Sequence, residues 1–373
     1  MGHVKHDTVD EATLGIPGAE SDLTGFFQVL GLAAPTALPP GYNKMCHTVG
    51  ATGKTAMLVV PKKKLTAHLQ EALRGIQSVL CDKENADYLV TYLSIKRFLQ
   101  SFARASIDKT TLREMIEACK HGTVKNSLES LSPLDDGLAR NIVYSMTGTA
   151  TGRLTVKTGP QILTIPAPAR KCLKSSFAKG KVLQIDIVSA EPKFALYLKG
   201  IKPPRDVYSH IAESILENQV TRSQAKLITL CALYGQSIKK LGEQLPESVG
   251  PRGVIQKTKT YFDRDYLLSR LKNESKAGVL RSAVGRPLNV PDENPHLLVS
   301  YYLQSSVAEA SILMFSRFIE ETELNCRPMF VIHDALIVDC DEDTAQNLLD
   351  NQNLKLSLGD WEFDAEVKIV GDI

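Results

Sequence analysis

The sequence predicts an α+β fold in which an antiparallel sheet is accompanied by two helical regions. Three observations predict it. Apolar residues recur three and four apart from Lys64 to about Ser145 and again from about Asp206 to Ala277, the spacing of amphipathic helices. VLQIDIV has the continuous apolar character of a buried strand. PMFVIHDALIVDC places two apolar runs on either side of His333-Asp334, which predicts a tight hairpin.

Composition sets the bounds. The chain has 373 residues, 43% of them apolar and 23% charged, which is ordinary globular usage with enough length for two or three domains or lobes. The formal net charge is only +2, so any surface for a polyanion must be a local basic face. Seven cysteines, an odd number, lie far apart with no Cys-x-x-Cys pair, which predicts reduced thiols and argues against a structural zinc. No run of about 18 apolar residues and no charged-then-apolar leader is present, so a soluble, cytoplasmic protein is expected.

Residues 1–45 are rich in Gly, Pro and Ala around a short apolar run, Phe26 to Leu32, and are expected to be a lead-in whose role is unknown. KLTAHLQEALRGIQSVL and ENADYLVTYLSIKRFLQSFARA then read as helices. TGTATGRLTVKTGPQILTIP is a Thr/Gly-rich loop leading into extended pieces. The VLQIDIV strand should stop where Pro192 can occupy the first turn of a helix, leaving Asp186 near the strand end. Thr221 to Gln224 has the form of a capping box, opening a helix that Gly235 can close. A further helix is expected over His296 to Glu321, and WEFDAEVKIV supplies a last strand.

Two carboxylates stand at points where a sheet would hold them rigidly, Asp186 at a strand end and Asp334 in a turn. Although 148 positions apart, they could together bridge a pair of Mg²⁺ ions. Taken singly, aspartates at strand ends and turns are common, so the pairing needs support. Arg222, Lys226, Leu230 and Tyr234 follow one another at four-residue steps, each turning about 40° round a helix, and so form one drifting stripe. A stripe of two cations, an apolar residue and an aromatic ring suits a triphosphate at one end and a base at the other, and equally suits a solvated helix end followed by a core face.

With these residues in place, the chain resembles the family A DNA polymerases, the bacterial polymerase I group, over about residues 85 to 373. The resemblance rests on four ordered segments: TATGRL, QIDIVSAE, RSQAKLITLCALYG and VIHDALIV. It implies a right-hand fold with a helical thumb over residues 46–148, an antiparallel palm sheet from 149–204 and 286–373, and helical fingers over 205–285. It further implies primer extension with dNTPs on primer-template DNA, with two Mg²⁺ ions (or Mn²⁺) as cofactors. Asp186 and Asp334, with Ile187 beside them, are the implied metal set. Arg222 and Lys226 would meet the triphosphate, Lys226 also as the proton donor to pyrophosphate, while Leu230, Tyr234 and Gly235 would lie beside the nascent base pair. Glu191 takes the steric-gate position and Tyr208, in DVYSH, a phosphate-contacting one. Arg153, Gln304 and His333 would touch DNA near the primer end.

The departures from the family pattern are specific. Ala335 replaces the glutamate that usually follows Asp334, Leu230 replaces an aromatic ring, and PQILT lacks the usual Asn and Gln. About 150 residues precede Arg153, too few for both a thumb and an exonuclease domain, so proofreading is expected to be absent. So short a form suggests a phage or mobile-element origin in a bacterial host, and any accessory protein is unknown. A single-subunit RNA polymerase or primer-synthesising enzyme remains an alternative, favoured by Leu230 and opposed by Glu191. A non-catalytic DNA-binding remnant is opposed by the joint presence of Asp186, Asp334, Arg222 and Lys226. GATGKT, from Gly50, falls short of a P-loop because Thr48 stands where glycine is needed. Lys62 to Lys64 read as solvated surface or a backbone contact to DNA, and His47, His68, His121 and His296 show no metal-ligand spacing.

Overall fold

The computed structural model describes residues 20–33, 41–48, 50, 60–235, 238–290 and 297–370. The GATGKT segment after Gly50 and His296 lie outside them. The chain divides into two compact units, one of Met1–Lys96 with Gly285–Pro287 and the other of Arg97–Val284 with Leu288–Ile373.

In the first unit, helices at Glu20–Val29, Tyr42–Thr48 and Lys62–Cys81 are followed by Lys83–Gln100, which runs past the unit's end. Part of the lead-in is therefore ordered structure. Phe26, fully buried, stacks on Tyr88 at a ring separation of 6.1 Å and lies against Tyr92 at 5.7 Å. Burial of this aromatic group gives the short apolar run its structural purpose.

The second unit is built on a five-stranded antiparallel sheet. The chain's strands are β1 (Ser106–Ile107), β2 (Val143–Ser145), β3 (Thr155–Thr158), β4 (Leu173–Lys174), β5 (Lys181–Ile187), β6 (Cys326–Ile332), β7 (Ala335–Cys340), β8 (Lys355–Leu358) and β9 (Trp361–Ile369). The main sheet runs β6-β7-β5-β9-β8, and β1-β4 and β2-β3 form separate two-stranded ladders. β5 is the central strand, which explains why VLQIDIV is apolar without alternation: both of its faces are covered. The helical prediction for the stretch up to Ser145 is broken by β1, which pairs with β4, and resumes in Lys109–Ala118 and Gly122–Glu129; beyond Glu129 the chain turns, and Val143–Ser145 pairs with β3. The hairpin partner β8 and the Glu342–Asp350 helix were not foreseen.

One core gathers Val182, Met329, Phe330, Ile332 and Ile337 with Ile107, Leu112, Leu128, Leu131 and Ile162. The Leu297–Glu321 helix packs on the Ala190–Leu198 helix, and Phe194 meets Trp361 edge-on at 5.0 Å. Within that layer Lys193, only 1% exposed, is ion-paired to Asp364. Tyr144 donates its hydroxyl to the Val331 carbonyl and accepts from the Val331 amide, tying β2 to β6.

Candidate active site

Asp186 and Asp334 come together because β5 and β7 are antiparallel neighbours. Asp186 lies opposite Ala335, the residue after Asp334, and the Ile187 amide donates to the Asp334 carbonyl at 3.1 Å. The two-residue turn between β6 and β7 puts His333 at a φ of 56°, a left-handed conformation that usually needs glycine at the first position of such a loop. Ser189, after the β5 strand, is also left-handed, with a φ of 54°, and reverses the chain into the Ala190–Leu198 helix. Pro192 sits in that helix's first turn, where its missing N–H costs nothing.

Both aspartates open into a cleft of about 770 Å³. Glu191, Asp206 and Glu366 add negative charge to it, and Arg153, Arg222, Lys226 and Lys368 add positive charge. Burial, reinforced by Glu191 and Asp186, pushes the Asp334 carboxyl up to about 7. Asp186 is also raised by burial, opposed by Lys368. Carboxylates crowded in this way favour either a shared proton or a bound cation.

The Arg222–Tyr234 helix forms as its caps predict. Thr221 accepts from the Gln224 amide and the Gln224 side chain from the Thr221 amide, while Gly235 ends the helix in the left-handed region. Its stripe of Arg222, Lys226, Leu230 and Tyr234 faces the cleft. Arg222 Nε donates to Asp206 at 2.6 Å. The Arg222 guanidinium and the Lys226 ammonium lie 5.7 and 5.9 Å from the centre of the Tyr208 ring, within cation–π range. Tyr208 is itself held by Asp206, whose carboxylate accepts from the Tyr208 and Ser209 amides. Tyr234 buries a hydroxyl that has no hydrogen-bond partner among the described residues, an orphan donor at the cleft wall.

Arg153 reaches Glu191 in a 2.6 Å ion pair. Gln304 lines the main cleft and, with Arg153, Leu154, Val307 and His333, a smaller adjoining hollow of about 260 Å³. Burial together with Arg153 and Arg170 lowers the His333 imidazole below its usual pKa, favouring its neutral form. Gly235 is placed apart from these residues: it lines neither hollow and serves as the helix terminator.

Three charged cleft residues were not foreseen. Asp206 is the N-cap of the Val207–His210 helix, a role that by itself gives no sign of the cleft. Glu366 and Lys368 belong to the polar register of an alternating strand, and such a register ordinarily faces solvent. Only the pairing of β9 with β5, which sets Glu366 opposite Asp186, brings them to the site. Glu366 thus lies beside Asp186 on the opposite flank of β5 from Ala335.

The donor set suits a hard divalent cation: two aspartates line the main cleft together with Ile187, and among the described residues no thiol or imidazole lines it. Among the described residues no group of three or more His, Cys, Asp and Glu forms a closed cage. An open set of two carboxylates is the pattern Mg²⁺ accepts, since it keeps water and substrate phosphate as its remaining ligands.

The fold is similar to that of a solved polymerase domain. The solved polymerase domain of Pol1 from M. smegmatis, in complex with DNA primer-template and dNTP, is similar over 79% of this chain, with a TM-score of 0.50 and 18% sequence identity. The match covers 65% of that chain, and at this identity the likeness is one of fold. No protein-family model and no curated protein matches the sequence. Among the described residues no helix is long and apolar enough to cross a membrane.

Proposed function

We propose that this protein is a template-directed DNA polymerase of the family A type, extending a primer with dNTPs by two-metal-ion nucleotidyl transfer. The observation that carries the proposal is the meeting of Asp186 and Asp334 in one cleft with Arg222, Lys226 and Tyr234. In this reading the main sheet is the palm, residues 205–285 are the fingers and 46–148 the thumb.

Asp186, Asp334 and the Ile187 carbonyl would hold two Mg²⁺ ions, with Mn²⁺ as a substitute. When bound, they lower the pKa of the primer 3′-hydroxyl and neutralise charge on the triphosphate. The chain's own residues do the rest. Arg222 binds a γ-phosphate oxygen, exchanging its Asp206 partner for the incoming anion. Lys226 has no carboxylate within ion-pair distance among the described residues, and it gives a proton to the departing pyrophosphate. Both cations stabilise charge developing in the transition state. The Tyr208 ring keeps them on one side of the cleft. Tyr234 and Leu230 meet the base pair, and Glu191, held by Arg153, occupies the space a ribose 2′-hydroxyl would need. Gln304 and His333 lie where the primer end would pass.

The test is extension of a labelled primer on a defined template, run separately with dNTPs and with NTPs in Mg²⁺ and in Mn²⁺. Template-dictated addition of dNTPs is expected. Absence of any addition in either metal would sink the proposal, and equal or preferred use of NTPs would replace it with an RNA polymerase or primer-making activity.

A further inference from the structure

A second chemistry-bearing pair lies at the far end of the hairpin that carries Asp334. Cys326, the first residue of β6, and Cys340, the last of β7, are direct cross-strand partners. Their hydrogen-bonding class follows from the neighbouring backbone. The Asp341 amide donates to the Asn325 carbonyl at 3.3 Å, so the adjacent 325/341 pair is hydrogen-bonded and 326/340 is not. The same parity holds two residues along. Pro328, opposite Val338, has no N–H, and its carbonyl accepts from Ala103 instead of from β7. In non-hydrogen-bonded antiparallel pairs the Cα atoms are about 4.5 Å apart with side chains on the same face, inside the roughly 4.4–6.8 Å window a disulfide spans.

Paired directly across the ladder, the two thiols lie close enough to shift each other's acidity. Cys326 is partly exposed and Cys340 is fully buried, so a small oxidant can reach one and not the other. None of the remaining cysteines has this arrangement: Cys46, Cys81, Cys119 and Cys231 lie in or at the ends of helices and Cys172 ends a 3-10 turn, none facing another cysteine across a ladder.

We infer that Cys326 and Cys340 are a thiol–disulfide couple, an oxidation site at which hydrogen peroxide converts the hairpin's open end into a covalent staple. The Cys326 thiolate attacks one oxygen of the peroxide, the O–O bond breaks, and Cys326 becomes a sulfenic acid as hydroxide leaves and is protonated to water. The Cys340 sulfur, losing its proton, then attacks the Cys326 sulfur and expels a second water. Two thiols are oxidised by two electrons and one peroxide is reduced to two waters. The Cys340 thiol beside it holds Cys326 below its usual pKa, while Cys326 and burial push Cys340 up. Exposed and more acidic, Cys326 is the attacking thiol; Cys340 is the resolving one.

The experiment treats the reduced full-length protein with hydrogen peroxide, alkylates remaining thiols under denaturing conditions, and digests with an Asp/Glu-specific protease. Trypsin is unsuitable because Arg327 precedes Pro328 and both thiols would stay on one peptide. A cross-linked peptide pair joining Cys326 to Cys340, lighter by two hydrogens and separated by dithiothreitol, is the expected result. It should be absent from Cys326→Ser, in which Cys340 stays alkylatable. The oxidised wild type should also unfold at a higher Tm than the reduced form, because the bond constrains the unfolded chain. Wild-type protein in which Cys326 ends as a sulfinic acid or in an intermolecular bond while Cys340 remains a free thiol would overturn the assignment. This reading stands apart from the polymerase proposal, since neither cysteine lines the cleft.

Discussion

Arg222 and Asp206 form an ion pair at 2.6 Å across the mouth of the candidate active site, joining the first residue of one helix to the N-cap of another. The arginine proposed to receive a triphosphate is thereby held in place by a carboxylate before any nucleotide arrives. Arg222 is half exposed, so its removal should leave the fold intact. Loss of one charged hydrogen bond of about 1.5–3 kcal/mol predicts a fall in kcat/KM for dNTP of roughly ten- to a hundredfold in Arg222→Ala, most of it in KM. Steady-state extension with varied dNTP checks this; an unchanged KM would remove Arg222 from the triphosphate site.

Asp334→Asn should abolish extension while primer-template binding stays nearly intact. The amide keeps the shape of the turn but removes a charge the metals require, and losses of a thousandfold or more, on the order of 4 kcal/mol, are expected when such stabilisation goes. Chelation by EDTA should mimic the substitution and added Mg²⁺ should reverse it. Extension rates alongside DNA-binding anisotropy test the pair of outcomes, and an active Asp334→Asn enzyme would refute the two-metal assignment.

Sugar selection should depend on Glu191 and, through the ion pair, on Arg153. Removing the carboxylate in Glu191→Ala opens room for a 2′-hydroxyl, and a few kcal/mol of discrimination corresponds to roughly a hundredfold gain in relative NTP use. Arg153→Ala should move selectivity in the same direction by less, because Glu191 remains but is no longer fixed. Competition assays with one dNTP and its ribonucleotide measure both, and unaltered selectivity in Glu191→Ala would dismiss the gate.

The buried Lys193 predicts a stability effect. Asp364→Ala leaves an ammonium that is 1% exposed without its partner, which costs roughly 3–5 kcal/mol for a fully buried pair and less here because Asp364 is 23% exposed. Replacing both, as Lys193→Met with Asp364→Leu, should recover most of the loss, since no charge is then stranded. Urea unfolding of the three proteins compares them; a double variant less stable than Asp364→Ala would show the pair is valued for something other than charge compensation.

By itself the sequence determined the local elements that announce themselves through short-range chemistry. The capping box at Thr221 and Gln224, the Gly235 terminator, the buried run ending at Asp186 and the apolar arms around His333-Asp334 all form where their residue types demand. Twelve of the thirteen residues singled out in the sequence line the two hollows, and Gly235 does not. What only the tertiary structure decided is which polar groups share the cleft. Glu366 and Lys368 look like the solvent face of an alternating strand until β9 pairs with β5 and sets them beside Asp186. Asp206 gives no sign of the site until the Arg222–Tyr234 helix brings Arg222 to it, and Cys326 and Cys340 look unrelated until the β6–β7 register aligns them. Helix caps and apolar periodicity act within a few residues and are legible along the chain, whereas strand register joins residues that no local pattern connects.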